Sequence, residues 1–297
     1  MKTDPVHEPA AEEKASSRER TDMSVVTQFF LLPLAVVGGL VGVFLLVTMV
    51  TRRPATAEDY LTTLRSGRFN QRWQAAFELS NIIKRTPATQ PDPKLEADLL
   101  KVFKESMESR EEDPRVRRYL VLALGNAGSQ EAVPSLIGAA QGSDSETRLY
   151  ALSGLARLHA NESKELFLQG LSDPDPAIRS VCAFGLGSLD ASGSITQLTK
   201  VLEDPVEEVR WNAALALARL ADPSGQDILV RLLDRKYLDT FPHLEPEDKS
   251  ELILNALRGL KHLNVSGLEG KLKELSDQDP DPAIRGAART WNQSGSS

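Results

Sequence analysis

A single cysteine, Cys182, stands in 297 residues. A lone thiol excludes an intrachain disulfide framework and a multi-cysteine metal site, and it leaves the redox compartment open. Aromatic residues are scarce at 5%, and no run alternates in the manner of a strand. The four histidines are dispersed. His7 falls in a polar tail, His159 and His262 at helix ends, and His243 in a loop, with no H-E-x-x-H or comparable metal spacing. No glycine-rich phosphate loop follows a strand. Basic charge is also short: 35 Lys and Arg against 42 Asp and Glu give a net charge of −7, which argues against a nucleic-acid surface. The acidic clusters Glu105–Asp113 and Glu245–Asp248 read as solvated turns rather than paired carboxylates in an apolar setting. No catalytic residue, metal ligand or cofactor is assigned.

What the chain does contain is one unit written four times between Asp113 and Asp234. Arg117, Arg148, Arg179 and Arg210 follow one another at one constant step (148−117 = 179−148 = 210−179 = 31). Leu124, Leu155, Leu186 and Leu217 keep the same step, as do Leu136, Phe167, Leu198 and Leu229. A fixed period of this size is the signature of a solenoid. Units open on an acidic residue and usually a proline, as at Asp113-Pro114, Asp175-Pro176, Asp204-Pro205 and Asp281-Pro282. Aspartate accepts from an orphan N–H at a helix start, and proline suits the first helical position. Leu120, Val121, Leu124 and Ala127 then form one helical stripe, a short turn follows, and a second helix completes the pair. Neither helix can bury its stripe alone, so the pairs must stack.

The aspartate-proline start, the arginine four residues beyond the aspartate and the two-helix length resemble HEAT-like repeats, specifically the phycobilisome-lyase type. The resemblance covers most of residues 56–293 and implies an all-α fold, a right-handed α-α superhelix. Leading helices are expected near 70–83, 114–126, 145–158, 176–189, 205–220, 248–263 and 281–291. The solenoid spans 52–293, with a frayed end at 294–297. Its period stretches twice: between Arg72 and Arg117, and beyond Arg210, where Ser250 takes the arginine position and residues 235–247 are inserted.

Residues 1–24 are polar and lack a hydrophobic period, the composition of a disordered tail. From Met23 to Thr51 there is no charge. Such a run of about 29 residues is long enough to cross a hydrocarbon core, and residues 25–51 are expected to form a single transmembrane helix. A cleaved signal peptide is the alternative, but the apolar run exceeds a signal core and Arg52-Arg53 closes it like a stop-transfer flank. Basic flanks tilt the orientation towards a cytoplasmic solenoid. Gly38 and Gly42 keep the G-x-x-x-G spacing of a weak homodimer face.

The arginines Arg72, Arg117, Arg148, Arg179, Arg210 and Arg285 allow two readings. They form a structural ladder paired with the capping residues Asp113, Asp144, Asp175 and Asp281 or with a neighbouring unit's acid, or they form a basic stripe for an acidic partner. Cys182 falls in a column of small inward residues with Ala151 and Ala213, which marks a packed thiol. The insert brings Tyr237, Phe241 and His243 into a loop, either as a recognition surface or as a plug between widened units. Exposed positions on second helices complete the candidate contacts: Lys164, Gln169, Gln197, Lys200 and Arg231. These features favour a membrane-tethered scaffold or adaptor for protein partners, without catalysis and without nucleic acid. The resemblance implies the alternative, a bilin lyase-like enzyme or enzyme subunit, although no residue here matches a catalytic motif of that family.

Overall fold

The computed structural model describes residues 32–51, 55–85, 92–108, 113–189 and 191–294. The expected polar tail, the Arg52-Arg53 flank and residues 295–297 of the frayed end lie outside them. Residues up to Ala55 and those from Thr56 onward form two separate units. In the first, α1 runs from Leu32 to Thr51. Its described side chains stand open to the surroundings, with Leu34 68% and Phe44 66% exposed. Among the described residues no helix is long and apolar enough to cross a membrane, so the expected span has no support from that quarter.

The second unit is helical throughout its described residues, without strands. A short helix α2 (Ala57–Ser66) precedes leading helices that alternate with second helices. These are α3 (Phe69–Arg85) and α4 (Pro93–Glu108), α5 (Pro114–Ala127) and α6 (Val133–Ala140), then α7 (Ser145–Arg157) and α8 (Lys164–Gly170). There follow α9 (Pro176–Ser188) and α10 (Ile195–Val201), and α11 (Glu207–Arg219) and α12 (Gln226–Leu232). After a single-turn helix α13 (Arg235–Leu238) come α14 (Pro246–His262), α15 (Glu269–Gln278) and the closing α16 (Pro282–Ser294). Each leading helix lies against the next one, and each second helix lies against the leading helix that follows it. This is the solenoid arrangement: contacts run between neighbours along the chain.

The start signals work as local chemistry requires. Asp113, Asp144 and Asp175 cap α5, α7 and α9 by accepting from the backbone N–H of Arg115, Thr147 and Ala177, each at 2.9 Å. Asp281 accepts from Ala283 N–H at 2.7 Å. One expectation needs correction. Asp204-Pro205 does not open α11, whose N-cap is Val206. The pair stands two residues earlier, where the previous unit has Asp173-Pro174, because aspartate-proline is written twice in a full unit opening. Helix α14 likewise starts earlier than expected, at Pro246, through a capping box between Glu245 and Asp248.

Buried side chains form one cluster from Leu61 to Leu220 and another from Trp211 to Ala288. Helix α11 serves both. Val209, Ala213 and Leu217 face the first cluster while Trp211, Ala214 and Ala218 face the second. The leading helices approach through columns of small residues: Ala123, Gly154, Gly185 and Ala216 beside Gly125, Ala156, Gly187 and Ala218. At the tightest points an added Cβ on Gly125 would come within 2.7 Å of the Gly154 Cα, and one on Gly187 within 2.6 Å of the Ala216 Cα. These columns, three and five residues beyond the Ala151–Cys182–Ala213 column (154−151 = 3, 156−151 = 5), set how closely the units pile. Gly187→Ala should therefore lower stability by about 1–3 kcal/mol through overpacking. Gly286→Ala, with nothing within 4 Å, should raise it by about 0.5–1 kcal/mol. Denaturant midpoints of the two variants check the contrast; equal shifts would contradict the close approach.

Candidate functional site

The arginine ladder is the most regular polar feature, and its geometry is a clamp across consecutive units. Arg179 donates from Nε and Nη2 to both carboxylate oxygens of Asp204, at 2.8 and 3.0 Å. Its Nη1 turns back to the carbonyls of Asp173 and Pro174, at 2.9 and 3.2 Å. One guanidinium thus holds the turn that enters its own unit and the acid that opens the next. Arg148 repeats the pattern on Asp173 at 3.3 Å and on the Ser143 carbonyl at 3.3 Å. Arg285 keeps the backward half, to the Asp279 and Pro280 carbonyls at 2.7 and 3.0 Å. Arg210 reaches the Asp204 carbonyl and Glu207, and Arg72 the Leu64 carbonyl at 2.8 Å.

The acids that receive Arg148 and Arg179 are not the caps four residues before them. Asp173 and Asp204 belong to the opening of the following unit in each case. They also accept the backbone N–H two residues on, Asp173 from Asp175 and Asp204 from Val206, both at 2.9 Å. In a repeated aspartate-proline opening, the first aspartate takes the clamp and the second caps the helix. The first regular unit departs from this. Position 142 is glycine, and the adjacent Arg118 instead grips the cap Asp144 bidentately at 2.9 and 2.7 Å. Arg117 itself is half-buried on α5.

The stretched unit solves the same problem from elsewhere. Ser250 occupies the arginine position and brings no guanidinium. Arg235, the first residue of the insert, supplies one: Nε and Nη2 donate to Asp279 at 2.7 and 2.9 Å, and Nη2 meets the Ser250 hydroxyl at 3.1 Å. The Asp279 side chain is 1% exposed. The trace left in the sequence is an arginine missing from its column and another, out of register, in the insert.

The rest of the insert folds onto α11. Trp211 donates from Nε1 to the Tyr237 hydroxyl at 3.2 Å, and that hydroxyl donates to Glu207 at 2.9 Å. Phe241 stands edge-on to Trp211 and Tyr237, with centroids 4.9 and 5.3 Å away. Leu238 is buried, and His243 contacts Glu208 at 2.8 Å. Desolvation foremost, then the bond to Glu207, raises the Tyr237 pKa, against the opposing hydrogen bond from Trp211. The geometry is that of a plug, with exposed His243 at its rim. Of the remaining candidates, Gln169, Gln197, Lys200 and Arg231 are exposed on consecutive second helices and Lys164 is half-buried. The structure does not bring them into one cluster by hydrogen bonds. Cys182 is wholly buried, and burial pushes its thiol up to about 12, so it is protonated at neutral pH and closed to reagents.

Comparison with known proteins agrees with this architecture. The model for HEAT repeats matches residues 99–169 and 164–241. The phycocyanin lyase complex of CpcE and CpcF from Nostoc sp. PCC7120 superimposes with a TM-score of 0.59 at 19% identity, over 83% of this chain and 90% of that one. A HEAT-like repeats protein from Thermococcus onnurineus NA1 is similar at 15% identity and a TM-score of 0.40, over 82% of this chain and 97% of that one. No curated protein matches the chain. The array is a HEAT-like solenoid.

The Arg179–Asp204 pair, 13% and 9% exposed, gives the clamp a measurable weight. Breaking one side with Asp204→Asn should cost about 3 kcal/mol at neutral pH, because it strands a nearly buried guanidinium. The guanidinium beside Asp204 holds its carboxyl below the usual range. A group depressed on folding contributes stability that is complete above its unfolded value and lost as pH falls through its folded value. Stability of the parent should thus decline below about pH 4, and the Asn variant should decline less steeply. Urea midpoints across that range check both; parallel curves would contradict the pairing.

Proposed function

We propose that this HEAT-like array is a membrane-tethered scaffold that binds protein partners across its second helices. The observation that carries the reading is the division of labour among polar side chains. The regular arginines are consumed within the stack, whereas Gln169, Gln197, Lys200 and Arg231 stand exposed on successive second helices, one unit apart. A row of such side chains offers a partner one contact per unit, which is how repeat arrays build broad binding surfaces. No catalytic step is assigned to it. The buried, protonated thiol of Cys182 is no nucleophile.

The tether is residues 25–51. Its support is the uncharged run from Met23 to Thr51 and the exposure of Leu34, Leu40, Phe44 and Leu46 in α1. Large apolar side chains bared along a helix call for a cover, and lipid suits a run of about 29 residues. The basic residues beyond the helix favour a cytoplasmic solenoid, and Gly38 with Gly42, open around their Cα atoms, offers a face for weak pairing. Local concentration at a membrane then substitutes for tight intrinsic binding. A second reading, a bilin lyase-like subunit, draws on the likeness to the CpcE–CpcF complex; transfer of a bilin by the purified chain would favour it over the scaffold.

Two experiments test the proposal. A photo-crosslinker placed at Gln197 or Lys200 in native membranes should give one adduct of common size, and none when placed at exposed Ala177 on a leading helix. Adducts of equal yield from all three positions would contradict it. The full chain should resist alkaline extraction from membranes, and release of the intact chain into the soluble fraction would remove the tether.

A further inference from the structure

The ends of the leading helices form a second polar feature, independent of the clamp. Two contiguous cavities share Arg219 and His262 as lining, and the larger measures about 820 Å³. Its edge passes the last turns of α5, α7, α9, α11 and α14. Arg157 and His159 line its middle, Arg219 and His262 its far end, and Arg258 the smaller cavity beyond. No Asp or Glu is among the described residues that line either cavity, in a chain with net charge −7. Asp190, 31 residues after His159 in sequence (190−159 = 31), lies outside the described residues.

The cations are presented by built contacts. The Arg219 guanidinium lies 4.7 Å over the Phe184 ring. Desolvation foremost, then the neighbouring Arg258, lowers its pKa. Arg258 is steadied by donation to Asn255 at 2.8 Å. His159 holds a left-handed backbone, φ 50°, and its Nδ1 is 2.7 Å from the Ser188 carbonyl. Cations at helix C-termini have a favourable dipole of their own. That accounts for Arg157 and Arg219 singly, but not for Arg219 set beside Arg258 in a cavity whose described lining holds no carboxylate.

We propose that this groove is a docking site for an acidic, extended segment of a protein partner, whose carboxylates engage Arg157, Arg219 and Arg258 while an apolar side chain lies against half-buried Phe184. Arginine forks match carboxylates bidentately, and the groove runs across units, so an extended chain can meet cations in turn. The proposal rests on the scaffold reading only in taking the occupant to be a protein; it uses none of the second-helix positions.

The test uses the full chain in detergent micelles and a fluorescein-labelled glutamate-leucine peptide of about ten residues, which spans roughly 30 Å when extended. Fluorescence anisotropy should show binding that weakens with salt and falls at least about tenfold in the R157Q/R219Q pair, with an unchanged thermal midpoint. R258Q alone should show a smaller loss, which keeps the test decisive if the pair folds poorly. K164Q/K200Q should bind as the parent does, which separates this site from the second-helix surface. Absence of binding, equal binding by R157Q/R219Q, or tighter binding of a single-stranded oligonucleotide than of the peptide would overturn it.

Discussion

A helix with one apolar stripe cannot stay dry by itself, and a pair of short helices of this kind cannot either. Everything regular from Thr56 onward follows from that constraint. The stripe of each leading helix is covered by the adjoining leading helices and by the second helix that precedes it, so cover is always borrowed from a neighbour. Close piling then demands small residues where backbones meet, and the Gly125–Gly154 and Gly187–Ala216 approaches are the consequence. Where the interval stretches beyond Arg210, the gap must still be filled. Trp211, Tyr237, Phe241 and Leu238 fill it with side chains rather than with another unit.

Electrostatics fixes what burial alone leaves loose. Apolar faces tolerate sliding, whereas a guanidinium held by two carbonyls on one side and a carboxylate on the other tolerates little. Arg148 and Arg179 therefore set the register of adjacent units. The grip of Arg118 on Asp144 where an acid is missing, and of Arg235 on Asp279 where an arginine is missing, shows that the chain keeps this contact even where the repeat is imperfect. The same logic separates two populations of arginine. Those at the helix starts are spent on the fold, while Arg157, Arg219 and Arg258 at the helix ends face a cavity.

Much of this was legible in the sequence because a constant period projects side chains onto columns. The all-helical pairing, the caps at Asp113, Asp144, Asp175 and Asp281, and the inward position of Cys182 needed only that projection. The clamp's acids were harder to read. Asp173 and Asp204 are adjacent to a more conspicuous capping role, and their pairing with the preceding unit's arginine is set by how units stack, which no local pattern encodes. Arg235 was hidden for a related reason: it matters only because Ser250 leaves a hole in space. The basic groove escaped notice because its column is interrupted by Ser188, and because Arg258 belongs to the unit where the period stretches. The expected span at residues 25–51 came from composition, and the described residues add only the bareness of α1.

Dependence on neighbours has a direct thermodynamic signature. Native-state hydrogen exchange resolved helix by helix should give opening free energies highest for α7 to α11 and falling towards α2 and α16, with each second helix opening together with the leading helix it covers. A single common value for every helix from Thr56 onward would mean one indivisible core, and would contradict a stack held together by adjacent pairs.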